Sequence, residues 1–314
     1  MKRNVAVVLS IATAVLAAYA KQDTLRVDVR LVNIYATVID SNGRYVGGLK
    51  KEDFRVDEDG KPQALTHFSQ NQDTPISLGI VFDKSGSMLS KLRTATDAVE
   101  HFVRTIHKDD DIFLLAFDSY NYLLQDFTSD RTKLTKALRN IDVGGGTALY
   151  DALVAGLEKV KSGEHDKRAI LVITDGQDNH SEATFSDVRQ YIRESEMLVY
   201  ALGISPTPVT SVSQPVVPPS RTQPPFGGRE TVDMGVLKVL GTDSGGRAYL
   251  VAENMMGGKD SQFERILSQI AEELRNQYTL AYYPTHGDDG QFHSIHVRAR
   301  YGYAVRARPG YVAR

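Results

Sequence analysis

Two apolar runs, each cut short by a carboxylate-bearing polar turn, constrain this chain more than any other feature. Ile76 to Phe82 is almost continuously apolar and stops at Asp83-Lys-Ser-Gly-Ser87; Ala169 to Ile173 stops at Thr174-Asp175-Gly176. Such runs suit parallel strands covered on both faces. Between them the period changes. Leu92, Ala95, Val99, Phe102, Val103 and Ile106 fall at helical spacing, as do Leu134, Leu138 and Ile141, and then Leu149, Ala152, Leu153, Gly156, Leu157 and Val160. Further strands are predicted at Asp111–Phe117, at Tyr122–Phe127 on an edge, at Leu198–Leu202 and at Ala248–Val251, with helices around Val188–Ile192 and Val236–Leu240. A last helix opens on a Ser261/Glu264 capping box and carries the stripe Phe263, Ile266, Leu267, Ile270, Ala271 and Leu274. Strands alternating with helices predict an α/β, doubly wound, mostly parallel sheet built from right-handed crossovers.

Both flanks read differently. From Leu25 to Gln70 the period is two: Val27, Val29 and Leu31, then Ile34, Ala36 and Val38, alternate with other residues. Asp40-Ser-Asn-Gly43 and Glu58-Asp-Gly60 are turn clusters, and short strands are expected at Tyr45-Val46, Phe54–Val56 and Ala64–Phe68. Tyr278 to Tyr283 and Ser294 to Arg300 read as strands on either side of a polar turn at His286 to Gly290. Short strands at both ends of an α/β unit suggest one small β-sandwich into which that unit is inserted. The expected divisions are a leader at 1–20, an N-terminal β-region at 21–72, the α/β domain at 73–276 and C-terminal strands at 277–314. Ser205 to Thr231, rich in Pro, Ser, Thr and Gly, is expected to be a mobile insertion.

The leader sets the expected compartment. Lys2-Arg3 precedes a largely apolar run of 12 residues, Val5 to Leu16, and Ala18-Tyr-Ala20 fits signal-peptidase cleavage after Ala20. Twelve residues fall short of the roughly 20 that span a bilayer. The mature product is expected to be secreted or periplasmic, with no stable membrane span. Lys+Arg 37 against Asp+Glu 39 gives a net charge of −2, which offers no general attraction to nucleic acid. With no cysteine, thiol catalysis, disulfides and thiolate metal sites are excluded. An exported chain without cysteine must stand on its core, with a metal as a further aid.

Open parallel sheets bind ligands beyond the carboxyl ends of their strands, where strand order reverses. If the two apolar strands are neighbours there, Asp83 and Asp175 face one another. Alternate residues of the first turn project Asp83, Ser85 and Ser87 together, and the Gly144-Gly-Gly-Thr147 break can bring the Thr147 hydroxyl to the same place. Two carboxylates and three hydroxyls are hard oxygen donors suited to Mg2+ or Ca2+, with no imidazole or soft donor among them. They leave room for an outside ligand, and a partner's Asp or Glu carboxylate fits it.

Asp83-Lys-Ser-Gly-Ser-Met88, Gly146-Thr147 and Thr174-Asp175-Gly176 resemble the metal-ion-dependent adhesion site (MIDAS) of von Willebrand factor type A domains. The family's Asp-x-Ser-x-Ser matches Asp83, Ser85 and Ser87, its separate Thr matches Thr147 and its separate Asp matches Asp175. The agreement in order spans about residues 76 to 275. Glu52-Asp-Phe54, Glu58-Asp-Gly60, Tyr278-x-Leu280 and Arg308-Pro-Gly-Tyr311 also resemble bacterial VWFA-related domain proteins. The resemblance implies a Rossmann-like fold with a divalent ion (Mg2+, or else Ca2+ or Mn2+) at its rim. It further implies protein association, as in adhesion, rather than catalysis. The Pro-rich insertion departs from the usual pattern.

Other features take plainer readings. Asp178 and Asn179 are expected to be turn residues or supports for Asp175. Gly144-Gly-Gly146 lacks the Lys-Ser/Thr ending of a phosphate cradle. The eight His show no His-x-x-x-His or His-Glu-x-x-His spacing and read as surface or hydrogen-bonding residues. Tyr282, Tyr283, Tyr301, Tyr303 and Tyr311 read as strand packing. The expected function is an exported, metal-dependent protein-interaction module. The alternatives are a metal-assisted hydrolase, or a scaffold whose working surface is the paired strands.

Overall fold

A computed structural model describes residues 31–70, 74–205, 232–256 and 261–314. The predicted leader and nearly all of the Pro-rich insertion lie outside these residues. In chain order the N-terminal region supplies β1 (Val32–Ile39), β2 (Phe54–Glu58), β3 (Lys61–Gln63) and β4 (His67–Ser69). The α/β unit follows with β5 (Ser77–Asp83), α1 (Leu92–Thr105), β6 (Asp111–Phe117), β7 (Asn121–Thr128), α2 (Arg131–Arg139), α3 (Leu149–Val160) and β8 (Arg168–Thr174). It continues with α4 (Phe185–Glu194), β9 (Leu198–Ser205), α5 (Met234–Ser244), β10 (Arg247–Ala252) and α6 (Gln262–Asn276). The chain closes with β11 (Tyr278–Tyr282), β12 (Phe292–Ala299), β13 (Ala304–Arg306) and β14 (Gly310–Val312).

The central sheet has six strands in the order β10-β9-β8-β5-β6-β7. All neighbours are parallel except the edge strand β7, which runs antiparallel to β6. Every residue of β5 is buried, because its alternate side chains meet helices on opposite faces. Leu78, Ile80 and Phe82 pack with Val99 and Phe102 of α1, Leu134 of α2 and Phe263 and Ile270 of α6. Val81 packs on the other face with Leu153 and Leu157 of α3, Val188 of α4 and Leu240 of α5. Gly79 also points that way; a Cβ there would come within 2.3 Å of the Phe113 ring. A larger residue would therefore drive Phe113 out of register with its neighbours. β6 leaves β5 on one side and β8 lies on the other, so the order reverses between β5 and β8. The predicted strands and the predicted switch point agree with this arrangement.

The flanks pair with each other. One sheet runs β13-β1-β11-β4 and a second runs β14-β12-β2-β3, so each interleaves strands from before and after the α/β unit. Their facing sides share one core that includes Ile34, Val38, Val56, Tyr278, Tyr282, Ile295 and Tyr311. Two predicted strands differ in detail. Tyr45 forms only an isolated bridge to Ile39, the span there being a tight turn closed by Asp40 and Arg44. Of the Ala64–Phe68 stretch only His67 and Phe68 are strand, in β4; β3 ends before it, at Gln63.

A polar cluster fastens the sandwich to α6. Glu273 is fully buried, pairs with Arg306 of β13, and accepts hydrogen bonds from Tyr200 Oη at 2.6 Å and Thr37 Oγ1 at 3.4 Å. The Tyr200 hydroxyl is held strongly protonated, first by burial and then by the Glu273 charge.

Candidate metal site

β5 and β8 deliver Asp83 and Thr174-Asp175 side by side, since Phe82 and Ile173 are paired neighbours. Asp83 is fully buried. Its Oδ1 accepts the Ser85 N–H at 2.8 Å, and its Oδ2 accepts the Thr174 hydroxyl at 2.6 Å. The first bond folds the chain back sharply after the strand, so that Ser85 and Ser87 lie over the sheet edge with their hydroxyls 3.1 Å apart. Ser87 Oγ then donates to Asp175 Oδ1 at 2.7 Å. Both carboxylates and both serines are thus linked through short contacts along one crevice.

Thr147 arrives from a separate loop. Gly146 N–H donates to Ser119 Oγ at 2.8 Å, and Gly145 C=O accepts the Gly86 N–H at 3.2 Å. Gly145 sits at φ +77°, a conformation that disfavours other residues, and a Cβ there would press on Asp118 at 2.9 Å. Thr147 itself is clasped by Asn179, whose side chain accepts its N–H at 2.9 Å and whose N–H donates to its carbonyl at 3.0 Å. The Thr147 hydroxyl lies 3.2 Å from where a Cβ on Gly176 would stand, next to Asp175. The structure therefore brings together all the predicted residues, Asp83, Ser85, Ser87, Thr147 and Asp175. Asn179 serves as a support. Asp178 instead holds α3, accepting the Tyr150 N–H at 3.2 Å and the Ser181 hydroxyl at 2.5 Å.

Lys91 is the participant that sequence reasoning missed. Its ammonium pairs with Asp175 Oδ2, both side chains being buried, and donates to the Ser87 carbonyl at 3.1 Å. It stands four residues beyond Ser87, at the start of α1. A lysine one turn beyond the Asp-x-Ser-x-Ser turn was the available signal. That ammonium pairs with Asp175 alone, and Asp83 has no ion pair among the described residues. Burial, more than the neighbouring Asp175 charge, pushes Asp83 up to about 6. A divalent cation suits such a place: the donors are all oxygen, the anionic charge is under-compensated, and hydroxyls stand within reach.

The rim is apolar. Leu89 in the turn after β5, Tyr120 between β6 and β7, and Met255 after β10 are 74%, 72% and 52% exposed. Each follows the carboxyl end of a strand of the central sheet.

The model of the von Willebrand factor type A domain matches residues 78–177, the stretch that holds β5 to β8 and the crevice. Two uncharacterized bacterial proteins are similar in sequence. One, from Synechocystis, is 29% identical over 112 residues, covering 34% of this chain and 27% of that protein. The other, from Borreliella burgdorferi, is 27% identical over 200 residues, covering 60% of this chain and 57% of its own length. The chain thus spans between about a quarter and a little over half of these curated relatives. Among solved structures, proximal thread matrix protein 1 of the mussel byssus, with a zinc-occupied MIDAS motif, superposes with a TM-score of 0.50 at 12% identity. That match covers 69% of this chain and 49% of the mussel chain, and it is a likeness of fold. Among the described residues, no helix is long and apolar enough to cross a membrane.

Proposed function

We propose that this chain is a metal-dependent protein-interaction module. Asp83, Ser85, Ser87, Thr147 and Asp175 would hold a divalent cation, Mg2+ by the hardness of the donors. When bound, the ion supplies a Lewis-acidic centre that takes a carboxylate oxygen from an Asp or Glu of a partner protein. The carrying observation is the convergence of these donors on one crevice around a buried Asp83. Leu89, Tyr120 and Met255 offer apolar contact around the acidic side chain, as befits a surface that binds protein.

The binding reading is favoured over hydrolysis by the state of the serines. Ser87 does donate to Asp175, but that carboxylate is already paired with the Lys91 ammonium, which weakens it as a base, and the Ser85 hydroxyl bonds that of Ser87. We further propose that residues 1–20 act as a leader cleaved after Ala20, so that the module works outside the cytoplasm; N-terminal sequencing of the mature protein tests this.

The test is Mn2+ titration of metal-stripped protein followed by electron paramagnetic resonance, with capture of partners from the native envelope in parallel. Wild type is expected to bind Mn2+ and to retain partners only without EDTA, and a folded Asp83→Ala variant to do neither. Partner capture indifferent to both EDTA and Asp83→Ala would overturn the proposal and favour the paired strands as the working surface.

A further inference from the structure

The connection from β11 to β12 carries His286 and Asp289 and leads into His293 on β12. The two imidazole rings stack, with centroids 3.6 Å apart and planes 10° from parallel. The Gly287 carbonyl can only accept, so His286 Nδ1, 2.8 Å away, is the donor. Asp59 Oδ2, 2.8 Å from His293 Nδ1, fixes the second ring in the same way. With both Nδ1–H groups engaged, each neutral ring presents a lone pair at Nε2.

The polar atoms facing those lone pairs are themselves acceptors. His293 Nε2 faces the Asp289 carboxylate at 3.2 and 3.3 Å. His286 Nε2 lies 3.3 Å from the Tyr311 hydroxyl, whose proton goes to Glu58, and 3.5 Å from the Glu58 carboxylate. In the metal-free protein burial disfavours charge on His293, but the hydrogen bonds to Asp59 and Asp289 outweigh it and raise its pKa, so a bound ion would displace a proton held between His293 Nε2 and Asp289. One divalent ion can take both lone pairs and the carboxylate once the rings tilt out of their stack so that the two Nε2 atoms point at a common centre.

We propose that His286, Asp289 and His293 form a second metal site, for a zinc-class divalent ion. Their ligand atoms already lie within 4.8 Å of one another. Bonds of about 2.0–2.2 Å to a shared ion ask them to close by roughly an ångström. Asp289 has a side chain 42% exposed; its Oδ1 accepts the Gln291 N–H at 2.8 Å, which leaves Oδ2 to approach the ion and its outer side open to a water ligand. Nδ1–H groups held by a carboxylate and a carbonyl are the arrangement that orients metal-bound histidines. Imidazole donors select this class of ion over Mg2+, so the site differs in chemistry from the oxygen-lined crevice. Asp59 belongs to the turn between β2 and β3 and Tyr311 to β14. The ion would therefore close the 286–293 connection onto the start of β12, next to Asp59 and Tyr311.

The inference is independent of the crevice, and the test keeps them apart. Full-length, metal-stripped Asp83→Ala protein is titrated with Zn2+ by calorimetry and with Co2+ by visible absorption. One Zn2+ per chain, d–d bands of low-symmetry Co2+, and a melting temperature raised by zinc are expected. All three should vanish in Asp83→Ala/His293→Ala, and in Asp83→Ala/His286→Asn should that first variant fail to fold. A folded Asp83→Ala chain that takes up no zinc, or that binds it equally without the histidines, overturns the proposal.

Discussion

The crevice and the sandwich both bury carboxylates, but they treat them differently. In the sandwich and its junction, Glu58 accepts the hydroxyls of Tyr282 and Tyr311 at 2.7 and 2.8 Å, and Glu273 is paired with Arg306 and bonded by Tyr200. Glu273 is matched by a guanidinium of the protein itself, whereas Glu58 is held by two hydroxyls inside the sandwich core. In the crevice, Asp83 and Asp175 receive hydroxyls, one N–H and a single ammonium between them. Buried charge matched within the chain holds the fold; buried charge left under-matched at a strand end invites an external cation.

The sharpest way to break this contrast is at Glu273. Removing it in Glu273→Ala strands Arg306 beside a fully buried position, and should cost about 3–5 kcal/mol in denaturant unfolding. A cost below 1 kcal/mol would mean that the junction is not held by matched charge.

The crevice should show the opposite sign. Burial raises Asp83 to about 6, so the folded, metal-free protein favours the protonated acid. Its stability should fall as pH rises from about 4 to about 6, by about 3 kcal/mol relative to Asp83→Asn, and stay low above that. Added Mg2+ should recover the loss in wild type alone. Parallel melting curves for the two proteins across this window would refute the account.

Smaller effects sharpen the picture. Tyr282→Phe removes one of two donors to Glu58 and should cost about 1.5 kcal/mol, with metal binding at the crevice unchanged. Lys91→Met removes the ammonium competing for Asp175, so Mn2+ affinity should rise on the order of tenfold, about 1.4 kcal/mol, while the metal-free protein melts lower. Unchanged or weaker Mn2+ affinity would make Lys91 a positioning residue for Asp175.

Much of this was legible in the residues. β5 and β8 announce themselves because a strand covered on both faces must be apolar throughout, and their ends announce themselves because a carboxylate interrupts the run. Asp83, Ser85 and Ser87 are readable as a group because their contacts lie within a few positions. Tyr45 was misread as a strand because alternation also fits a tight turn held by Asp40 and Arg44. The histidines offered no helical spacing, since His286 and His293 meet across a turn and are oriented by Asp59, far away in sequence.

The sequence by itself determined the layered sheet, its reversal point and the oxygen-rich turns, because period and punctuation report which side of each residue faces apolar neighbours. Tertiary structure alone decided who balances whom. Lys91 reaches Asp175 across 84 positions, Arg306 stands on Glu273, and Tyr311 meets Glu58 across 253. Such pairings come from chain closure, and closure over those distances leaves no mark on local pattern.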